Sequence, residues 1–360
     1  MDIETKLDAF GGFAEEIVTL EELRNLLETN DHPLAYDGFE PSGLAPIHFG
    51  LLRAKNLKTV ISTGIKFNLY LADYFAFLNN KLGGDMERIR TAGKYFVEIW
   101  KACGVDMSKV NLIWASELMD NIDYWDRFMK VGKATTIDRI KRAVTIMGRK
   151  EGDNISAGML FYPAMQVTDI FYMDIDICQL GMDQRRANIL AREIADKYKW
   201  KKPVAVHHPL MLGLQGVPQG KNIKDYEAMA ELKMSKSNPK SAIYMHNTYE
   251  EIKEKIGSAY CPERVVEGNP MFNFIKLIII DSLKSHITIE RPEKFGGTIE
   301  AEGYAELERL YIDGKIHPLD IKNFVAEKLE QQIKPVREHF EKDRRAKELY
   351  ETVQKYQVTK

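Results

Sequence analysis

Leu34-Ala35-Tyr36-Asp37-Gly38-Phe39, followed by Glu40-Pro41-Ser42-Gly43, then by His48 to Thr63 and Phe67 to Asp73, is the stretch that decides the fold. The first six residues read as a short strand, and Glu40 to Gly43 as a turn. From His48 onward, Leu51, Leu52, Ala54, Leu57, Val60 and Ile61 recur at the spacing of a buried helix. Phe67-Asn68-Leu69-Tyr70-Leu71-Ala72-Asp73 reads as a second strand. Strand, glycine-bearing turn, helix and strand form a βαβ unit. Such a crossover is what parallel strands need, so an α/β fold with a parallel sheet is expected.

The flanks extend that unit. Thr19-Leu20-Glu21-Glu22 is a capping box opening a helix whose apolar face is Leu23, Leu26 and Leu27, and Asn30-Asp31-His32-Pro33 stops it. Downstream, residues 85–103 predict a helix, Val110–Trp114 a strand, 118–150 a helical stretch carrying the basic run Arg139, Lys141 and Arg142, and Pro203–Val206 another strand. After Gly213 the composition turns to Gly, Gln, Lys and Ser. Residues 214–238 read as a long mobile loop with a helical piece near Tyr226–Leu232, and loops of that length inside compact proteins are often functional. Helices dominate thereafter, over 248–258, 271–284, 301–312 and 318–346.

Composition excludes several classes. With Lys+Arg 51 against Asp+Glu 53 and a net charge of −2, nucleic acid cannot be held by bulk charge, and any such contact needs local basic patches. Hydrophobic residues at 44% support a sizeable core and rule out global disorder. Cys103, Cys178 and Cys261 lie far apart, which argues against a disulfide framework or zinc cluster and for a reducing compartment. The N-terminus lacks the pattern of a signal peptide, and the longest apolar stretch, Phe274–Ile280, is interrupted by Lys276 and too short to span a bilayer. A cytoplasmic protein without a membrane segment is expected.

Four elements could carry chemistry. Lys233-Met234-Ser235-Lys236-Ser237 places two lysines three apart among small residues on the loop, suited to a polyphosphate whose charge grows as it leaves. Ile47-His48-Phe49-Gly50 lies at the strand-to-helix turn, where parallel sheets offer backbone N–H groups to nucleotides; taken alone, His48 reads as a capping histidine. Tyr162, Gln166 and Asp169 recur at i, i+4 and i+7. They share one helical face amid Phe161, Met165, Val167, Ile170 and Phe171, so buried polar groups there call for a polar ligand. Gly181-Met182-Asp183-Gln184-Arg185-Arg186 is a turn opening a helix, and without the other three it reads equally well as a cap with solvated arginines.

Together these residues resemble a class I aminoacyl-tRNA synthetase, more narrowly a tyrosyl-tRNA synthetase of the archaeal and eukaryotic type, from about Leu20 to about Phe340. Lys233–Ser237 matches the second class I signature throughout. The first, His-Ile-Gly-His, is matched by His48-Phe49-Gly50-Leu51, with Leu51 in place of the second histidine and Leu44-Ala45-Pro46 lengthening the link after Pro41-Ser42-Gly43. The resemblance implies a Rossmann-like catalytic domain over residues 1–232, the signature loop and linker over 233–258, and a helical anticodon-binding domain over 259–360. It implies that Tyr36 and Asp169 bind a tyrosine phenol, and that Tyr162, Gln166 and Gln184 hold its ammonium. It assigns ATP to Gly38, Glu40, His48, Gly50, Met234, Ser235 and Lys236, and catalysis to Lys233, Lys236 and His48. Arg185 and Arg186 would meet the acceptor stem. Phe295, His317 and Asp320, within Glu290–Gly297 and His317–Asn323, would read the anticodon by stacking and edge contacts. Mg²⁺ would accompany ATP without a protein metal site, and the partners would be L-tyrosine, ATP, tRNA(Tyr) and a second copy of the chain. Two other readings stay open. A tryptophanyl-tRNA synthetase would leave Tyr36 and Asp169 poorly paired against an indole. A non-catalytic tRNA-binding relative would not need Lys233 and Lys236. Amino-acid-dependent pyrophosphate exchange separates all three.

Overall fold

The computed structural model describes residues 1–148, 156–217, 232–234 and 241–356. Its centre is a six-stranded sheet of order β1-β6-β5-β2-β3-β4, built from β1 (Glu16–Val18), β2 (Leu34–Phe39), β3 (Lys66–Leu71), β4 (Val110–Trp114), β5 (Ile177–Gly181) and β6 (Val204–His208). All neighbours run parallel except β1, which is antiparallel to β6. β2 and β3 pair from Leu34↔Lys66 to Phe39↔Leu71, the βαβ unit read from sequence. The chain moves from β2 toward β3 and β4 on one side, and from β5 to β6 on the other. The C-terminal ends of β2 and β5 therefore flank a topological switch point, the crevice where such sheets take ligands.

The helices that matter for the site and its support are α1 (Ile3–Gly11), α2 (Leu20–Thr29), α3 (Arg53–Ser62), α4 (Met86–Ala102), α5 (Ile122–Ala134), α6 (Tyr162–Tyr172), α7 (Arg185–Tyr198), α8 (Tyr249–Ser258), α9 (Pro318–Lys342) and α10 (Arg344–Gln354). The Thr19–Glu22 capping box forms as expected. On one face of the sheet Phe39, Phe49, Phe96 and Trp100 form an aromatic cluster, with Phe49 and Phe96 centroids 4.0 Å apart and the Trp100 indole donating to the Phe49 carbonyl at 3.2 Å. That cluster seats the turn carrying His48.

The structure departs from the sequence reading at several points. β3 ends at Leu71, and Asp73 instead opens a short helix, its buried carboxylate accepting from the Ser116 backbone and hydroxyl at 3.0 and 2.7 Å. The helix expected over 118–150 breaks at Thr135-Thr136, because the Thr136 hydroxyl caps a new helix by accepting from Arg139 N. The helix expected over 271–284 stops at Ile279, where the Lys55 ammonium takes the Leu277 and Ile280 carbonyls. Residues 299–301 pair with 287–289 in a hairpin, so the next helix starts only at Tyr304. Asp343 caps α10 and separates it from α9. The helical piece expected near Tyr226–Leu232 lies outside the described residues apart from Leu232.

Residues 242–247 form a strap beside the His48 turn. Ile47 N donates to Ile243 O and Met245 N to Ala45 O, both at 2.9 Å, with Pro46 opposite Tyr244. Met245 lies so tightly over Gly50 that a side-chain carbon at position 50 would overlap its sulfur. Gly50→Ala should therefore cost about 1–3 kcal/mol by overpacking, and less when introduced into a Met245→Ala background than into wild type. Urea unfolding of the variants checks this; a Gly50→Ala chain as stable as wild type would contradict it.

Candidate functional site: a crevice at the sheet's switch point

One end of the crevice is a ring of phenols around a carboxylate. Every residue of α6 from Tyr162 to Phe171 is buried, so the polar stripe identified in the sequence faces protein. Asp169 Oδ1 accepts from the Tyr124 hydroxyl, brought by α5, at 2.8 Å. Asp169 Oδ2 and the Tyr36 hydroxyl are buried and have no hydrogen-bond partner among the described residues, and the same holds for the Tyr70 hydroxyl. Burial pushes Asp169 up to about 7, partly offset by Tyr124 and by the Tyr70 phenol that faces the same carboxylate. Burial also drives the Tyr36 phenol well above its ordinary value. A buried polar atom without a partner costs about 1–3 kcal/mol, so this pair is arranged for a ligand hydroxyl that donates to Asp169 and accepts from Tyr36. The sequence reading missed Tyr70 and Tyr124. Tyr70 was reachable, because the parallel register sets it opposite Gly38, diagonal to Tyr36. Nothing in the sequence pointed to Tyr124.

Next along the crevice is an amide relay. Gln184 Nε2 donates to Ile146 O at 3.0 Å and its carbonyl accepts from Gln166 Nε2 at 3.2 Å. The Gln166 carbonyl is thus the acceptor left to the site. Tyr162 donates to Glu40 Oε1 at 2.6 Å, leaving its own oxygen to accept from a ligand. Asn79 and Lys81 also lie against the Glu40 carboxylate. Burial, then Glu40, raises the Tyr162 phenol far above its usual value, so it stays neutral. Two acceptors beside a carboxylate suit an ammonium group. Glu40, expected at the ATP site, is engaged with the ammonium-side groups.

The other end of the crevice gathers charge. A π turn, His48–Leu52, precedes α3. The Arg53 guanidinium lies 2.8 Å from Asp37 Oδ2 and 2.9 Å from His208 Nδ1, which also meets Gln179 Nε2 at 2.8 Å. With two donors on Nδ1, His208 is a neutral acceptor there, and burial, Arg53, His207 and His48 hold it well below its ordinary pKa. Burial pushes Asp37 up to about 7 against the pull of Arg53. Burial would also raise Asp183, but its ion pair with Lys233 holds it below the usual range. Lys233 is itself anchored opposite Leu212, and Met234 N donates to Met211 O at 2.8 Å. Ser235 and Lys236 lie outside the described residues. Gly38 leaves only 3.3 Å between a would-be side chain and the Tyr70 ring. Asp37 and Arg53 were not among the sequence candidates, and Asp183 entered only as a member of the Gly181–Arg186 turn, with no role assigned. Among the described residues no cluster of three metal-ligating side chains occurs.

The nucleic-acid candidates divide between two places. Arg185 donates to both Glu16 oxygens at 3.0 and 2.8 Å, and Arg186 to the Thr145 hydroxyl at 3.3 Å, so both arginines also brace the protein. Far from the crevice, Phe295 is 61% exposed, with the Lys294 ammonium 4.9 Å from its ring. His317 and Asp320 form the capping box of α9, and Asp320 lies 3.6 Å from Arg291. Phe295 thus is not core, whereas Asp320 is a helix-capping residue.

Comparison with known proteins gives this arrangement a family. The model of the tRNA synthetases class I (W and Y) matches residues 28–334. A tyrosine–tRNA ligase of Sulfolobus acidocaldarius is 42% identical over 359 residues, covering 99% of both chains. "Tyrosine--tRNA ligase 1, cytoplasmic" of Arabidopsis thaliana is 42% identical over 362 residues, covering 100% of this chain and 90% of its own. The crystal structure of the tyrosyl-tRNA synthetase of Pyrococcus horikoshii, complexed with L-tyrosine, superposes with a TM-score of 0.91 at 38% identity, covering 98% of this chain and 100% of that one. The chain belongs to the class I tRNA synthetases of the tryptophan and tyrosine group. Within that group it is a tyrosine–tRNA ligase of the archaeal and eukaryotic type, with the ATP use that the class implies.

The titration of Asp169 has a measurable sign. Its folded pKa is raised, so the native state keeps a proton that the unfolded chain has lost. The resulting stabilisation is full below about pH 4 and is lost as pH rises through about 7. Asp169→Asn removes this dependence. Between pH 5.5 and 8 wild type should lose about 2 kcal/mol relative to the variant, read from urea unfolding at both pH values. A variant-minus-wild-type difference that does not change with pH would contradict the assignment.

Proposed function

We propose that the crevice binds L-tyrosine with its phenol between Tyr36 and Asp169 and its ammonium on Tyr162, Gln166 and Gln184. The observation carrying this reading is the pair of buried, unpartnered atoms, Tyr36 Oη and Asp169 Oδ2. An indole N–H could satisfy one of them and not both. The tyrosine carboxylate then attacks the α-phosphate of ATP, giving tyrosyl-adenylate and pyrophosphate. The terminal ribose hydroxyl of the tRNA next attacks the activated carbonyl. His48, the backbone at Gly38 and Gly50, Lys233, Met234, Ser235 and Lys236 hold ATP, and the lysines stabilise charge on the leaving pyrophosphate. Lys233 comes to the phosphates by exchanging its Asp183 partner. Mg²⁺ arrives with ATP, as suits a hard cation that prefers phosphate oxygens and water.

The tRNA contacts the acceptor-stem candidates Arg185 and Arg186 and, through residues 259–360, the anticodon candidates Phe295, His317 and Asp320. We place the contact between two copies on the apolar face where Tyr74, Phe77, Trp125 and Phe161, all exposed, rim a cavity of about 620 Å³. A cytoplasmic location agrees with the Arabidopsis relative's name, and among the described residues no helix is long and apolar enough to cross a membrane.

Two experiments test the reading. In Asp169→Ala and Tyr36→Phe the ratio of kcat/KM for tyrosine over phenylalanine should fall about 10- to 100-fold, the effect of about 1–3 kcal/mol for one hydrogen bond to a buried partner. An unchanged ratio in both would refute the phenol assignment. Asp320→Ala should lower kcat/KM for tRNA aminoacylation by about 1–3 kcal/mol while sparing pyrophosphate exchange, which needs no tRNA. Equal losses in both assays would make Asp320 purely structural.

A further inference from the structure

The strap that backs the His48 turn is itself backed by the C-terminus. The His246 ring lies flat on Tyr350 of α10, with centroids 3.7 Å apart and an 18° interplanar angle. Phe340 of α9 meets it edge-on at 4.7 Å, and Tyr95 of α4 lies 5.7 Å away. The Tyr95 hydroxyl in turn accepts from Ala45 N at 3.3 Å, on the segment paired with the strap. Arg337 of α9 donates to Asn247 O at 2.7 Å. Stacking, rather than hydrogen bonding at Nε2, holds the imidazole, because His246 Nε2 is buried with no partner among the described residues. Burial also keeps the ring neutral, with its pKa down at about 3. An imidazole with an unsatisfied nitrogen gains by turning to water as soon as a covering ring is removed.

We propose that Tyr350 is a positioning residue for adenylate formation, acting through the His246 ring on the strap that sets the His48 turn. Tyr350 is remote from the reacting atoms and touches no substrate. Its ring closes the stack, the stack fixes residues 243–246, and these fix Ala45, Ile47 and Gly50 by two backbone hydrogen bonds and one side-chain contact. Loosening the stack displaces His48 and the turn's N–H groups from the nucleotide while leaving the phenol ring of Tyr36, Tyr124 and Asp169 on other elements untouched. α10 is thus part of the catalytic scaffold rather than a terminal appendage.

The proposal rests on the reading that His48 serves the ATP site, and the test separates the two. Full-length Tyr350→Ala, Tyr350→Phe, His246→Ala and the double alanine variant are compared in tyrosine-dependent pyrophosphate exchange, at a temperature where each is folded, with tyrosine affinity measured by calorimetry. His48→Ala is the control. Tyr350→Ala should lower kcat or raise the KM for ATP by about 10-fold, a displacement effect, with tyrosine affinity within about two-fold. Tyr350→Phe should retain wild-type exchange, and the double variant should be no worse than either single one. Normal exchange in Tyr350→Ala beside a defective His48→Ala overturns this proposal alone. Normal exchange in His48→Ala overturns the reading beneath it. Equal losses of tyrosine affinity and exchange in Tyr350→Ala, or additive losses in the double variant, assign Tyr350 to general packing and also overturn the proposal.

Discussion

Asp169 is 1% exposed, on a helix whose residues are buried from Tyr162 to Phe171. An isolated ionised carboxylate in such a place is very costly, and the usual remedy is a cation. Among the described residues it is phenols that face it instead, and its pKa rises. This choice governs the pocket. Tyr124 ties α5 to α6, Tyr36 and Tyr70 come from neighbouring parallel strands, and the sheet register sets their spacing. A compensating arginine would have made the pocket an anion site. Phenols leave a dipolar cavity matched to one more hydroxyl.

The nucleotide end follows the opposite logic. Its charges are already paired, Asp37 with Arg53 and Asp183 with Lys233. On the proposed ATP assignment a polyanion binds there by exchanging partners, the cations being held by carboxylates until it arrives. Neutral recognition at one end relies on shape and unsatisfied atoms. Charged recognition at the other relies on competition, and so is the more salt-sensitive of the two.

The βαβ unit was legible because a turn of Pro, Ser and Gly separates two periodicities. β5 was not, since Ile177 to Gly181 is buried on both faces and lacks the alternation that marks a half-exposed strand. The 287–301 hairpin has three-residue strands, too short for any pattern. The helix over 118–150 was drawn too long because helix-compatible residues continue through Thr135-Thr136, where a side-chain cap decides the break. At the site, Tyr162, Gln166 and Asp169 could be grouped because one helix carries them. Tyr36, Tyr70 and Tyr124 meet Asp169 from three other elements, and Arg53 finds Asp37 and His208 only through the sheet. The roles assigned to Gln184 and Phe295 came from resemblance, since each alone has an ordinary structural reading.

α9 runs for 25 residues, a rod about 37 Å long. At one end its cap holds His317 and Asp320, and at the other Arg337 and Phe340 grip the strap beside the first-signature turn. Pro335 interrupts the backbone ladder two residues before Arg337. On the proposed anticodon assignment two distant events share one mechanical element, and thermodynamic linkage makes the traffic run both ways. To whatever extent an anticodon at Asp320 shifts the affinity of the crevice for its ligands, tyrosyl-adenylate in the crevice shifts the affinity for tRNA by the same factor.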